Sequence, residues 1–303
     1  MSIRPIERQA RATPAIEGAG VRLHRAFGFG DPSEVDPFLL LDDFRSDRPG
    51  DYLAGFPWHP HRGIETITYV LAGAVDHGDS LGTRDSIGAG DIQWMTAGSG
   101  IVHQEMPRGD EQGRMHGFQL WANLPVALKM TPPRYQGIRS GEIPEVTDDD
   151  GTRVRVVCGS FWGQKGPVDG IAADPVYLDV FVPPGRKKVL PVETDRHAFA
   201  YVFEGGGSFR DASGPRPVPT EDLPGMAPPA AVSDNRSLVL FGRGDEVVVH
   251  SGEQGVRFLL VSGQPLREPV AWHGPIVMNT QAELRQAFDE LDRGTFLTPR
   301  TST

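Results

Sequence analysis

The sequence predicts an all-β protein of two tandem barrels with a short helix near its C-terminal end. Three observations carry that expectation. Glycine (37) and proline (27) together exceed a fifth of the 303 residues, which favours many turns and short strands over long helices. Apolar segments with alternating patterning recur along the chain, punctuated by Gly, Pro, Asp or Asn. One arrangement of such segments occurs twice.

In chain order, strands are predicted at 64–71, 91–95, 118–121, 153–157, 176–182, 199–203, 237–241, 246–249 and 256–261. A helix follows. Thr280-Gln-Ala-Glu283 forms a capping box, with Leu284, Phe288 and Leu291 at helical spacing and Gly294 as terminator. In the repeat, Thr68-Tyr-Val-Leu-Ala-Gly73 precedes Gly88-Ala-Gly-Asp91 and then Phe118-Gln-Leu-Trp-Ala-Asn-Leu-Pro125. Ala200-Tyr-Val-Phe-Glu-Gly205, Gly242-Arg-Gly-Asp245 and Phe258-Leu-Leu-Val-Ser-Gly-Gln-Pro265 follow in the same order. This reads as two copies of one barrel joined within 125–141, although the monotony of strand composition can also produce such similarity by chance.

The charge is −10, from 40 acidic against 30 basic residues, and such a field repels phosphate backbones. No Lys/Arg-rich block or zinc-finger spacing offsets it, so direct nucleic-acid binding is not expected. The single cysteine, Cys158, allows no intrachain disulfide and reads as a small buried hydrophobe. The N-terminal segment lacks the apolar core of a signal peptide, and no apolar run approaches a membrane span. A cytoplasmic monomer is the expectation.

The chemistry concentrates in two short segments. Phe56-Pro-Trp-His59-Pro-His61 carries histidines at i and i+2, which on a strand share one face about 7 Å apart. Gly100-Ile-Val-His103-Gln-Glu105 repeats that spacing with a histidine and a carboxylate. If the two segments face each other across a barrel interior, three imidazoles and a carboxylate converge. Left unpaired in an apolar interior, each would cost several kcal/mol, and a divalent cation offsets that cost. Mixed N/O ligation with open positions suits Fe(II), Mn, Ni, Cu, Co or Zn in redox or Lewis-acid work. A lone His-x-His pair also occurs in ordinary cores.

The strings His59-Pro-His-Arg-Gly-Ile-Glu-Thr66, Gly90-Asp-Ile-Gln-Trp-Met-Thr-Ala-Gly-Ser-Gly-Ile-Val-His-Gln-Glu-Met-Pro107 and His116-Gly-Phe-Gln-Leu-Trp-Ala-Asn-Leu-Pro125 resemble the pirin family, two-barrel members of the cupin superfamily. Gly274-Pro-Ile-Val-Met-Asn-Thr280 resembles it as well. The resemblance implies two tandem cupin (jelly-roll) β-barrels, with a metal-binding domain over 1–132 and a second domain over 133–303. It implies iron held by His59, His61, His103 and Glu105, with Glu65 not a ligand. It also implies quercetin 2,3-dioxygenase activity: a flavonol and O₂ as substrates, Glu105 as general base. The alternative it carries is an iron-dependent redox sensor that binds a transcription factor or metabolic enzyme. A surface mouth lined by aromatics would favour catalysis, and a sealed one sensing. In the second half, Pro191 and Glu193 stand opposite His59 and His61, and Arg257 and Leu259 replace the other pair, so a metal-free barrel is expected there.

Other residues have plainer readings. His116 is expected at a surface or strand end, with an orienting role toward a ligand as the rival reading. His77, His197, His250 and His273 lack ligand spacing. Arg62 and Glu65 suit a structural ion pair or a hydrogen-bonded anchor rather than catalysis. Trp58, Trp94, Met95, Phe118 and Trp121 divide between core and pocket wall, since strands alternate faces. Asp148–Asp150 reads as a solvated turn. Gly205–Gly207 follows a strand without opening a helix, so no phosphate loop is expected.

Overall fold

The computed structural model describes residues 2–168, 172–210 and 232–297. Its chain forms two compact units: Thr13–Ile143 with Pro167–Asp174 and Pro265–Thr303, and Met1–Ala12 with Pro144–Gly166 and Pro175–Gln264. This departs from the linear cut expected between 132 and 133. Long-range pairing is the reason. The strand Arg134–Ile138 pairs with Ile92–Thr96 and so stays with the first barrel. Ile6–Arg11 pairs with Ser237–Phe241 and so joins the second.

The first unit holds a seven-stranded antiparallel sheet. Its order is Arg134–Ile138, Ile92–Thr96, Ile64–Ala72, Met115–Asn123, Phe38–Ser46, Val21–Phe27 and Thr13–Glu17. A four-stranded sheet, ordered Phe56–His61, Ile101–Arg108, Ala74–Asp79 and Arg84–Ile87, completes the jelly roll. The central Ile64–Ala72 is rich in β-branched and aromatic residues and buried on both faces for most of its length. Register lines up one polar residue per strand: Gln93 opposes Thr68, Thr68 opposes Gln119, Gln119 opposes Asp42, and Asp42 opposes Arg25. A polar row therefore crosses five strands.

The C-terminal segment packs onto this barrel. The hairpin of Ala271–His273 and Ile276–Met278 brings Val277 into a cluster with Leu39, Ile64, Met95, Ala97 and Ile101. It passes so near the backbone at Gly63 that a Cβ there would meet the Val277 carbonyl oxygen at 1.9 Å. With φ +77° as well, that position takes only glycine. The helix spans Gln281–Asp292. Its Thr280 side chain accepts from the Glu283 amide while Glu283 reaches back, as the capping box predicts. Leu284 and Ala287 face the core, and Gly294 follows the end at φ +70°.

The second unit is a nine-stranded sheet along Ile6–Arg11, Ser237–Phe241, His197–Phe209, Glu246–Gly263, Val176–Val182, Arg153–Cys158 and Glu145–Thr147. Two further strands, Lys187–Pro191 and Val232–Asp234, pair off this path. The strands expected at 246–249 and 256–261 are one long strand, whose two ends pair with Lys187–Pro191 and Val176–Val182. Strand His197–Phe209 runs through Gly205–Gly207 with register shifts rather than a helix. Cys158, the single cysteine, is buried, and the Asp148–Asp150 turn engages Lys188 through Asp148 and Asp150. No helix among the described residues is long and apolar enough to cross a membrane.

Candidate metal centre

Antiparallel pairing of Phe56–His61 with Ile101–Arg108 sets His103 directly opposite His59 and Ile101 opposite His61. Strand alternation then turns His59, His61 and His103 toward one point. Their ligand nitrogens lie within 4.8 Å of one another. The ring centroids are 4.3–5.0 Å apart. His61 and His103 are buried, His59 half-buried.

Backbone carbonyls fix two of the tautomers. His59 Nδ1 lies 2.7 Å from the Pro57 oxygen and His61 Nδ1 3.1 Å from the Pro275 oxygen. A carbonyl only accepts, so both Nδ1 atoms carry the proton and both Nε2 atoms present lone pairs. Those lone-pair nitrogens face each other at 3.1 Å. Burial, with His59 adding to it, pushes His61 down to about 3, so its ring is neutral near pH 7. Burial and the neighbouring imidazoles also hold His103 well below its usual range. Among the described residues, neither ring nitrogen of the fully buried His103 has a hydrogen-bond partner.

Neutral imidazoles with opposed lone pairs, beside an unpartnered buried third, are an unfavourable packing for polar groups alone. Nitrogens bound to one divalent ion at about 2.1 Å would stand about 3 to 3.5 Å apart, a range that includes the 3.1 Å between His59 and His61. The donor set therefore fits a divalent transition metal.

Glu105 lies two residues beyond His103, past a register shift, and lines the same cavity as His59 and His61. The polar row holds it. Thr68 Oγ1 is 2.8 Å from its Oε1, Gln93 Nε2 donates to the same oxygen at 3.0 Å, and Gln119 Nε2 donates to Oε2 at 3.3 Å. His59, His61 and Glu105 thus border one space, though Glu105 stands outside the 4.8 Å histidine group and His103 does not line the cavity. Glu65 accepts from Thr96 Oγ1 at 2.7 Å and does not line the cavity.

The cavity holds about 450 Å³, within the range of small-molecule sites. Trp58 and Trp121 line it, whereas Trp94, Met95 and Phe118 are core. The Trp121 ring meets His61 edge-on at 5.1 Å. Trp58 and Phe29, each 52% exposed, stand where the cavity reaches the surface. Arg62 is an anchor, as expected, but not to Glu65. Its guanidinium donates to the Ser99 and Phe296 carbonyls and to Glu290 Oε2, tying the helix to the metal strand. His116 sits half-buried inside a strand, 3.6 Å from Asp43, and does not line the cavity.

His77 is the neighbour that sequence reading passed over. Buried, it lies 5.4 Å from the His103 ring, 3.1 Å from Asp79 Oδ2 and stacked on Tyr135. The signal was present, since His77-Gly-Asp79 has the same i, i+2 spacing as His59 with His61 and His103 with Glu105.

The pirin family model matches residues 20–122, and the pirin C-terminal cupin domain model matches residues 177–297. The chain belongs to the pirin family. It is 46% identical to a pirin-like protein of Caulobacter vibrioides over 98% of this chain and all of that one. With human pirin it shares 40% identity over 89% of this chain and 86% of that one. Among solved structures, a quercetin 2,3-dioxygenase from Acinetobacter baumannii superposes with a TM-score of 0.84 at 30% identity, covering 97% of this chain and 99% of that one. The two-cupin architecture of the pirins is the one described above, and the histidine cluster lies within the stretch that the first model matches.

Proposed function

We propose that this pirin is an Fe(II)-dependent dioxygenase that cleaves a flavonol such as quercetin. The observation that carries the reading is a cluster of three imidazoles, two of which, His59 and His61, share with Glu105 one aromatic-walled cavity that reaches the surface. The resemblance to a quercetin 2,3-dioxygenase supports the substrate class. His59, His61 and His103 would hold the ion, with Glu105 as fourth ligand; Mn, Ni, Cu, Co and Zn suit the same donors. When bound, the ion supplies Lewis acidity toward a substrate hydroxyl and redox access to O₂.

The chain's own residues do the rest. Glu105 takes the proton of the substrate hydroxyl, and Thr68, Gln93 and Gln119 aim its two oxygens. Trp121 and Trp58 accept the flat faces of the substrate and exclude water from it. The exposed aromatic rim favours catalysis over the redox-sensing, partner-binding alternative, which a sealed site would suit.

The test loads metal-free protein with Fe(II) under anaerobic conditions, adds quercetin, admits air and follows oxygen uptake. Uptake that depends on metal and vanishes in Glu105→Ala is expected. No uptake from protein shown to carry iron removes the dioxygenase reading.

A further inference from the structure

The polar row does not stop at Glu105. Beyond Gln119 it continues to Asp42 and Arg25, one and two strands further, which is about 5 and 10 Å at ordinary strand spacing. Both residues line the cavity. Arg25 meets Asp42 through two hydrogen bonds of 2.8 and 2.7 Å and pairs with Glu17 at 2.8 Å. Two carboxylates against one guanidinium leave this end net negative. An end of that charge suits hydrogen-bond donors such as phenolic hydroxyls and disfavours carboxylate-bearing ligands.

Over this end lies Phe29, in the segment Gly28-Phe29-Gly30. Its ring stacks on Trp272 at 4.6 Å, and the Arg25 guanidinium stands 4.8 Å from its centroid. Trp272 in turn lies 6.1 Å from Trp121, so an aromatic file runs from His61 to the rim. Phe29 holds φ +56°, a left-handed conformation that an aromatic residue adopts against its preference. It is 52% exposed, so burial does not offset that strain. Such strain at a cavity mouth points to use in recognition.

We propose that Phe29 and the Arg25–Asp42 pair form a ring-recognition subsite. Phe29, its ring held by Trp272 and Arg25, packs its exposed edge against the ring of a planar phenolic ligand that lies away from the metal, and Asp42 accepts a hydrogen bond from a hydroxyl of that ring. The subsite rests on the flavonol reading and adds to it which end of the ligand is selected and by what.

The experiment measures flavonol binding without oxygen, by quenching of tryptophan fluorescence, in metal-loaded and metal-free protein. Quercetin is compared with 3-hydroxyflavone, whose outer rings carry no hydroxyls. Phe29→Gly is expected to weaken both ligands about tenfold. Its melting temperature should shift by only a few degrees, because glycine relieves the strained φ while giving up the ring contacts with Trp272 and Arg25. Phe29→Trp should restore binding. Asp42→Asn should remove the preference for quercetin over 3-hydroxyflavone. Equal affinities in parent and Phe29→Gly overturn the subsite, and leave the dioxygenase reading standing if the parent turns quercetin over. A parent that binds quercetin in a Phe29-dependent way but consumes no oxygen keeps the subsite and removes the reaction. A parent that binds neither flavonol overturns both.

Discussion

The Nδ1 atom of His61 meets the carbonyl oxygen of Pro275 at 3.1 Å across 214 residues of sequence. One candidate metal ligand is thus oriented by backbone from the C-terminal segment. Arg62, the next residue, is tied to that segment too, through Glu290 and the Phe296 carbonyl. Glu290→Ala should lower stability by about 1–3 kcal/mol, as expected when a buried charge loses its partner. Thermal unfolding, read beside the rate of metal release to a chelator, checks this; unchanged release would show that the helix does not support the site.

His103 offers a sharper contrast. In metal-free protein it buries two nitrogens without a hydrogen-bond partner among the described residues. His103→Leu removes them at similar volume, so the metal-free variant should match or exceed the parent by about 1 kcal/mol in urea unfolding. Added Fe(II) should stabilise the parent and leave the variant unmoved. A variant that gains stability from the ion would remove His103 from the donor set.

Thr68→Val tests the row that aims Glu105. It deletes the hydroxyl that lies 2.8 Å from Glu105 and 2.6 Å from Gln119 while keeping the β-branched shape. Turnover should fall about tenfold as the base loses its alignment. Metal content by elemental analysis should stay at the parental level, and a loss of metal instead would assign Thr68 a structural role.

Burial raises Glu65 from 4.5 to about 7. A carboxyl raised on folding contributes stability that is fully present below about pH 4.5 and is lost as pH rises through about 7. Relative to Glu65→Gln, the parent should therefore lose up to about 3 kcal/mol between pH 5 and pH 8. Urea midpoints of the two proteins at both pH values measure it. Parallel pH dependence would mean that Glu65 titrates as an exposed carboxylate does.

Much of the site could be read directly from the chain. The i, i+2 spacing of His59 with His61, and of His103 with Glu105, needs only strand alternation to become a shared face. The helix was marked by Thr280 and Glu283 for the same local reason. What stayed hidden depends on register or on backbone. Gln93, Thr68, Gln119, Asp42 and Arg25 are isolated polar residues in separate strands, and only their pairing makes them a row. The Pro275 carbonyl has no side-chain signature at all. The interleaving of the two units likewise follows from contacts between distant segments, such as Gln9 with Val239, that no local pattern announces.

That interleaving sets an order of events during synthesis. His59, His61, His103 and Glu105 are all made before residue 144, yet the segment that orients His61 comes from Pro265 onward. At ordinary elongation rates the interval is on the order of ten seconds. Throughout it, the nascent chain exposes a His-Pro-His motif that no distant carbonyl has yet oriented and that any available transition metal can engage. The geometry of the candidate metal cluster is therefore completed only when the segment from Pro265 onward has been made and has docked, so the cluster matures after its own four residues have left the ribosome.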